Sequence, residues 1–282
     1  MKSIILLTPI IFISFFSICQ EEEILYPFNS PYSGAIGFMN SKDEVIIPAI
    51  YHSGGTFQDV NLYIVSKKTD KKAIQHFGLY NNKGELVIGF ENKYELISLS
   101  NYKNGYILVI KDGKWGYINI KNEVKIPIEY DYLGDVLDGK IIASKNKKFG
   151  LIDTLQNVII DFQFDHLSNF SETQSDNHRY AEVEIKEKHG FINEAGNIII
   201  PCKYDYTYPF YNDFAIVKIN EKVGVINLKG ETIIPLIYDS IRIDYDSNIL
   251  KASNEADPTL LYLYDYKGKF IRKKILKKRI KE

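Results

Sequence analysis

Residues able to do chemistry are thinly spread along this sequence. The five histidines are His52, His76, His166, His178 and His189, and no two of them stand at metal-ligand spacing. No glycine-rich phosphate loop, nucleophile elbow or zinc motif occurs. Asp244-Tyr245-Asp246-Ser247-Asn248, with Glu255 in twelfth place, mimics the ligand order of a calcium loop. Ile249 stands where that loop needs a turning glycine, and no helical pattern flanks it. Asp131, Asp165, Asp205 and Asp239 recur at one place in a repeated phrase. A catalytic carboxylate pair needs two unlike environments. Recurrence therefore predicts a structural job, such as accepting a backbone N–H in the turn after a tyrosine. Cys202 stands where other copies have Ala49, Ile128 and Leu236, and reads as a small buried hydrophobe rather than a nucleophile. No catalytic residue, cofactor or metal ligand is assigned.

The elements that carry these residues are copies of one phrase. Aligned on a glycine, the anchors are Gly37, Gly78, Gly116, Gly150, Gly190 and Gly224, with Tyr262 in a degenerate seventh place. Their spacings of 41, 38, 34, 40, 34 and 38 residues indicate a repeat architecture. Three residues past each anchor stand Asn40, Asn81, Asn119, Asp153, Asn193, Asn227 and Asp265. Six past it stand Asp43, Gly84, Asn122, Gln156, Gly196, Gly230 and Gly268. Asn-x-x-Gly predicts a hairpin turn opened by an Asx side chain and closed by a left-handed residue. Gln156 fits that role poorly, which predicts local strain or a different turn. Short β-branched runs such as Ile198-Ile199-Ile200 follow as strands, and Pro48, Pro127, Pro201 and Pro235 are expected to end them. A further strand precedes each anchor, giving three or four antiparallel strands per copy and no helical pattern.

The phrase Lys114-Trp115-Gly116-Tyr117-Ile118-Asn119, continued by Ile126-Pro127 and Tyr130-Asp131, resembles the bacterial WG-repeat family. The resemblance covers about residues 34–272. Only Trp115 keeps the signature tryptophan, which Ile36, Phe77, Phe149, His189, Val223 and Leu261 replace elsewhere. His189 is expected to be packed in that place. The resemblance implies a β-rich repeat module in exported or surface-associated proteins.

Residues 1–19 read as a signal peptide, with Lys2 before an apolar run from Ile4 to Ile18 and cleavage near Cys19. Lipid attachment at Cys19 is the alternative, although Ile18 is larger than a lipid-attachment box accepts; a retained anchor helix is the third reading. After cleavage Cys202 is the only cysteine, so no disulfide supports the fold. No transmembrane span is expected once the signal is removed. Residues 20–33 form a lead-in segment whose Ile24-Leu25-Tyr26 is expected to pair with the far end of the array. Residues 34–272 form the repeat domain and residues 273–282 a basic tail. Residues 269–282 carry +7 within a chain of net charge −1, so the rest carries −8. The near-neutral whole gives no pull toward nucleic acid.

The expected fold is all-β, a β-propeller-like array of six or seven small blades, with an open β-solenoid as the alternative. The expected function is an exported, non-catalytic binding or scaffold module. Its partner is an unspecified protein, peptide or glycan of the cell envelope or exterior. An exported hydrolase with its site on the inserted loops, using His178 and Asp176, is the alternative. Polar inserts at 66–72, 171–178 and 253–258 are the first place to seek a specific surface. The 21 tyrosines read first as strand residues on half-buried faces, and otherwise as a face for sugars or peptides.

Overall fold

A computed structural model describes residues 23–68, 75–175 and 178–276. The chain is all-β, and its described residues form seven small antiparallel sheets. Three short 3-10 turns, such as Tyr102–Asn104, are the helical elements among them. No helix of the described residues is long and apolar enough to cross a membrane, which leaves strand-built spans untouched. The signal reading of residues 1–19 lies outside the described residues.

The chain divides after Asn92 into two compact units. The first holds a three-stranded sheet (Tyr26–Asn29, Ile36–Met39, Val45–Tyr51) and a four-stranded one (Ser53–Phe57, Leu62–Lys68, Gln75–Asn81, Leu86–Ile88). The lead-in segment is thus a strand of the first sheet: Tyr26 pairs with Met39 and Asn29 with Ile36. That replaces the expected pairing with the far end, because the nearest free edge belongs to its own copy.

The second unit holds five sheets, and each consecutive copy repeats one plan. A short first strand such as Tyr132–Leu133 is followed by Lys140–Lys145, Lys148–Asp153 and Val158–Phe164, ordered across the sheet as in sequence. Both faces of such a sheet are apolar, and each is buried by a neighbour. Ile141, Ala143 and Ile152 pack with Tyr117, Ile126 and Tyr130 of the preceding sheet. Ile142, Leu151, Ile160 and Phe164 pack with Leu167, Ala181 and Val183 of the following one. Phe191, Ile200 and Tyr204 repeat this with Phe210, Ala215 and Val217.

The prolines do not end the strands, contrary to expectation. Pro127 lies inside Val124–Tyr130 and Pro201 inside Ile198–Tyr204. Trp115 pairs with Tyr130 and Tyr117 with Ile126, so Gly116 alone faces the bulge that contains Pro127. A proline is tolerated there because the bulge interrupts the ladder on an edge strand. The bulge also explains the anchor glycine. A Cβ on Gly190 would stand 2.4 Å from the Ile200 carbonyl oxygen and 2.7 Å from the Cys202 nitrogen.

The Asn-x-x-Gly turns form as expected. The Asn119 side-chain oxygen accepts the N–H groups of Lys121 at 3.0 Å and Glu123 at 2.9 Å. Gln156 keeps the same turn: its N–H reaches the Asp153 carbonyl at 3.0 Å, as Gly196 reaches Asn193 at 2.9 Å. It does so at φ 70°, so the misfit appears as strain and not as a new turn.

Replacing Gln156 with Gly should therefore raise unfolding stability by about 0.5–1 kcal/mol, the left-handed cost less the entropy of glycine. Gly190→Ala should lower it by about 1–3 kcal/mol through overpacking against backbone. Urea denaturation followed by tyrosine fluorescence reads both, and an unchanged midpoint in either variant contradicts the assigned role.

Candidate functional site

The recurring carboxylates are clasps. Asp131 accepts an ion pair from Lys114 of its own sheet and the N–H of Lys147, at 2.8 Å, from the hairpin of the next. Asp165 does the same with Lys148 and the Lys186 N–H at 2.8 Å. Asp205 joins Lys188 to the Asn220 N–H at 2.7 Å, and Asp239 joins Lys222 to the Glu255 N–H at 2.7 Å. A backbone N–H is indeed the partner, but it belongs to the hairpin of the following copy and not to the turn after the tyrosine. The lysine was the missed half of the pair. It stands two residues before the anchor in the same four copies that carry the aspartate, and that coincidence was readable. The lysine bond first, and the backbone N–H after it, hold all four carboxyls below the usual carboxylate range.

The other chemistry-bearing residues stay apart. The Asp244 carboxylate is 2.5 Å from Lys251 Nζ, and this bond, with Ser247, pulls its pKa down to about 2. Glu255 follows the far end of the strand Ile249–Asn254, about 20 Å along the chain direction, so the calcium-like spacing gathers no ligands. Among the described residues no group of three or more His, Cys, Asp and Glu side chains is placed to hold a metal ion. Cys202 is half-buried, its thiol 3.8 Å from the Val183 carbonyl, and burial pushes its pKa up. His189 is packed as expected, its Nδ1 2.9 Å from Glu182 Oε1. Asp176 lies outside the described residues, while the nearby Gln174 and Ser175 N–H groups are pinned by Asp213 at 3.1 and 3.0 Å.

The groups that converge on open space are tyrosines. The position of the signature tryptophan packs at a tilt against the ring that opens the next sheet: Trp115 against Tyr132 at 5.0 Å, Phe149 against His166 at 5.9 Å and His189 against Tyr206 at 5.8 Å. From Tyr206 the row continues to Tyr208 at 5.1 Å, where two clefts adjoin. One, of about 460 Å³, is lined by Tyr206, Tyr208, Lys218 and Glu221. The other, of about 420 Å³, is lined by Tyr208, Tyr211, Arg242 and Tyr245. Tyr211 and Tyr245 meet edge to face at 5.3 Å. Tyr206, Tyr208, Tyr211 and Tyr245 are 47, 53, 37 and 62% exposed, so each ring has a buried root and a free face. These two clefts fall on connections and first strands of successive copies, whereas a further cleft of about 420 Å³ is lined by Lys67 and Lys68 of the first insert, with Ser33, Tyr51 and His52.

Seven small sheets built on one phrase, with consecutive sheets of each unit sharing apolar faces, define a β-repeat protein. The chain belongs to the family of WG-containing repeats, which matches residues 36–70, 77–115, 115–149, 149–172, 190–222 and 224–249. No curated protein matches it. Among solved structures it is similar to a eukaryotic initiation factor, at 8% identity and TM-score 0.40, over 89% of this chain and 74% of that one. It is also similar to a dihydro-heme d1 dehydrogenase, at 10% identity and TM-score 0.39, over 91% of this chain and 67% of that one. Neither likeness bears on the chemistry of this chain.

The clasps set an acid dependence. A carboxyl with a lowered folded pKa stabilises the fold above its free value of about 3.9, and that support is lost as pH falls toward the lowered value. The melting midpoint should hold between about pH 7 and pH 5 and fall below about pH 4. An Asp165→Asn/Asp205→Asn variant should melt lower at pH 7 and lose less on acidification. Circular-dichroism melts across this range decide it: an acid slope equal to that of the parent removes the clasps as its cause.

Proposed function

We propose that this protein is an exported, non-catalytic binding module that takes a glycan chain in the paired tyrosine clefts. The observation that supports this is the set of four half-exposed rings around two adjoining clefts, bordered by Arg242, Lys218 and Glu221. Sugar rings present flat C–H faces edged by hydroxyls. Tyrosine offers an apolar face and a polar tip, and little side-chain entropy is lost in ordering it. Volumes of about 420 and 460 Å³ are within the usual range for small-ligand sites. Two in series suit successive sugars of one chain. Export rests on the apolar run and cleavage pattern of residues 1–19, and it places the ligand in the cell envelope or exterior.

A glycan array should identify a bound oligosaccharide. Calorimetry with that sugar should show weakening of up to about tenfold for each of Tyr208→Ala and Tyr245→Ala, the worth of one aromatic contact. Silence on the array with recovery of a peptide ligand sensitive to the same two variants would replace the glycan by a peptide. Turnover of the sugar that His178→Ala abolishes would replace the binding module by a hydrolase.

A further inference from the structure

The last strand of each sheet lies at an edge, and an unprotected edge invites pairing. The first six copies guard it. Val45–Tyr51, Val124–Tyr130, Ile198–Tyr204 and Thr232–Tyr238 carry a bulge with Pro48, Pro127, Pro201 and Pro235. Val158–Phe164 is bulged with the exposed Asp161, and Leu86–Ile88 is only three residues long. The strand Phe270–Ile275 keeps a single-residue bulge, where its pairing passes from Leu263 to Tyr264, but lacks the wide bulge opposite the anchor position that five of the other edges carry. It contains no proline, its register runs unbroken from Leu260–Ile275 to Leu263–Arg272, and all six residues are exposed. The cause is visible in the sequence: Tyr262 replaces the anchor glycine, and opposite it the partner strand lacks the wide bulge that the glycine accommodates elsewhere.

The Leu276 N–H donates inward to the Thr259 carbonyl at 2.7 Å. Alternation then turns the N–H and C=O of Ile275 and Lys273 outward. Among the described residues no strand pairs with that side. Arg272 and Lys274 share one face, and Lys273 and Ile275 the other. Lys273 lies over the Tyr262 ring at 5.1 Å, which holds its ammonium beside the edge.

We infer that the free edge of Phe270–Ile275 docks an extended acidic peptide segment by strand addition. The backbone supplies the pairing and the three cations supply the choice of partner. A second copy of this chain is a poorer occupant, because antiparallel pairing of two such strands places lysine beside lysine. The tyrosine clefts take no part, so this inference and the glycan reading stand or fall separately.

The test uses the whole exported chain and a fluorescein-labelled peptide of about eight alternating glutamates and valines, read by anisotropy. Binding should weaken about tenfold or more when alternate peptide nitrogens on the pairing side are methylated, which removes two or more hydrogen bonds at unchanged charge. Lys273→Pro should cause a comparable loss, and Lys274→Glu a loss that shrinks as salt rises. Equal affinity for the methylated peptide overturns the inference, since charge alone would then suffice. So does full displacement by phosphatidylglycerol vesicles that Lys273→Pro leaves unaltered, the result expected of an anionic surface. A dimer in sedimentation that Lys273→Pro dissolves overturns it in favour of a second copy.

Discussion

A sheet made of strands two to nine residues long is not stable alone in water, and here consecutive sheets within each unit press apolar faces together. Burial of those faces by the neighbouring copies is the interaction on which the remaining structure rests. Tyr204, Phe191 and Phe164 are each almost wholly buried, each at a contact between consecutive sheets. Removing one such side chain from water is worth about 1.5–3 kcal/mol. Stability in this arrangement is therefore a property of adjacent pairs, as in other repeat proteins.

Close approach between sheets makes demands on the backbone. The bulge around Pro127 lets the last strand bend while Tyr130 still reaches the core, and only glycine leaves room opposite it. The clasps act at the seam that this bend creates. Asp131, Asp165, Asp205 and Asp239 each follow the core aromatic directly, at the point where the chain leaves one sheet for the next. A carboxylate tied to a lysine behind and an N–H ahead fixes how the following hairpin is set. These are exposed pairs, so their contribution lies in orientation more than in strength.

Much of this frame was legible. The anchor glycines, Asx turns, strand runs and the left-handed positions of Asp43 and Asn122 follow from local chemistry that acts within a few residues. Misreadings arose where a residue answers to something distant. Pro127 reads as a strand end because a bulge depends on the partner strand, which spacing does not reveal. The partners of the aspartates were assigned to their own turn because the receiving hairpin lies about fifteen residues on. The lead-in strand was sent to the wrong sheet for the same reason. The tyrosine clefts left the weakest trace: Tyr206, Tyr208 and Tyr245 were counted within a general excess, and nothing in their spacing sets them apart from Tyr204 or Tyr238, which are buried.

That contrast separates frame from surface in this chain. What recurs in every copy is committed to turns, bulges, clasps and shared faces. A recurring residue has little freedom to recognise one ligand, because the same group must serve the same contact elsewhere. The departures from the phrase are few. Tyr208 and Tyr245 stand in stretches where the copies differ, and Tyr262 breaks the rule of the anchor. Where that glycine is lost the wide bulge opposite it is lost too, and with it the proline that four of the earlier edges carry. A change at one repeat position thus alters the edge of the neighbouring strand without disturbing the packed faces. In a repeat array this is how a surface can acquire a specific use while its core remains common to all copies.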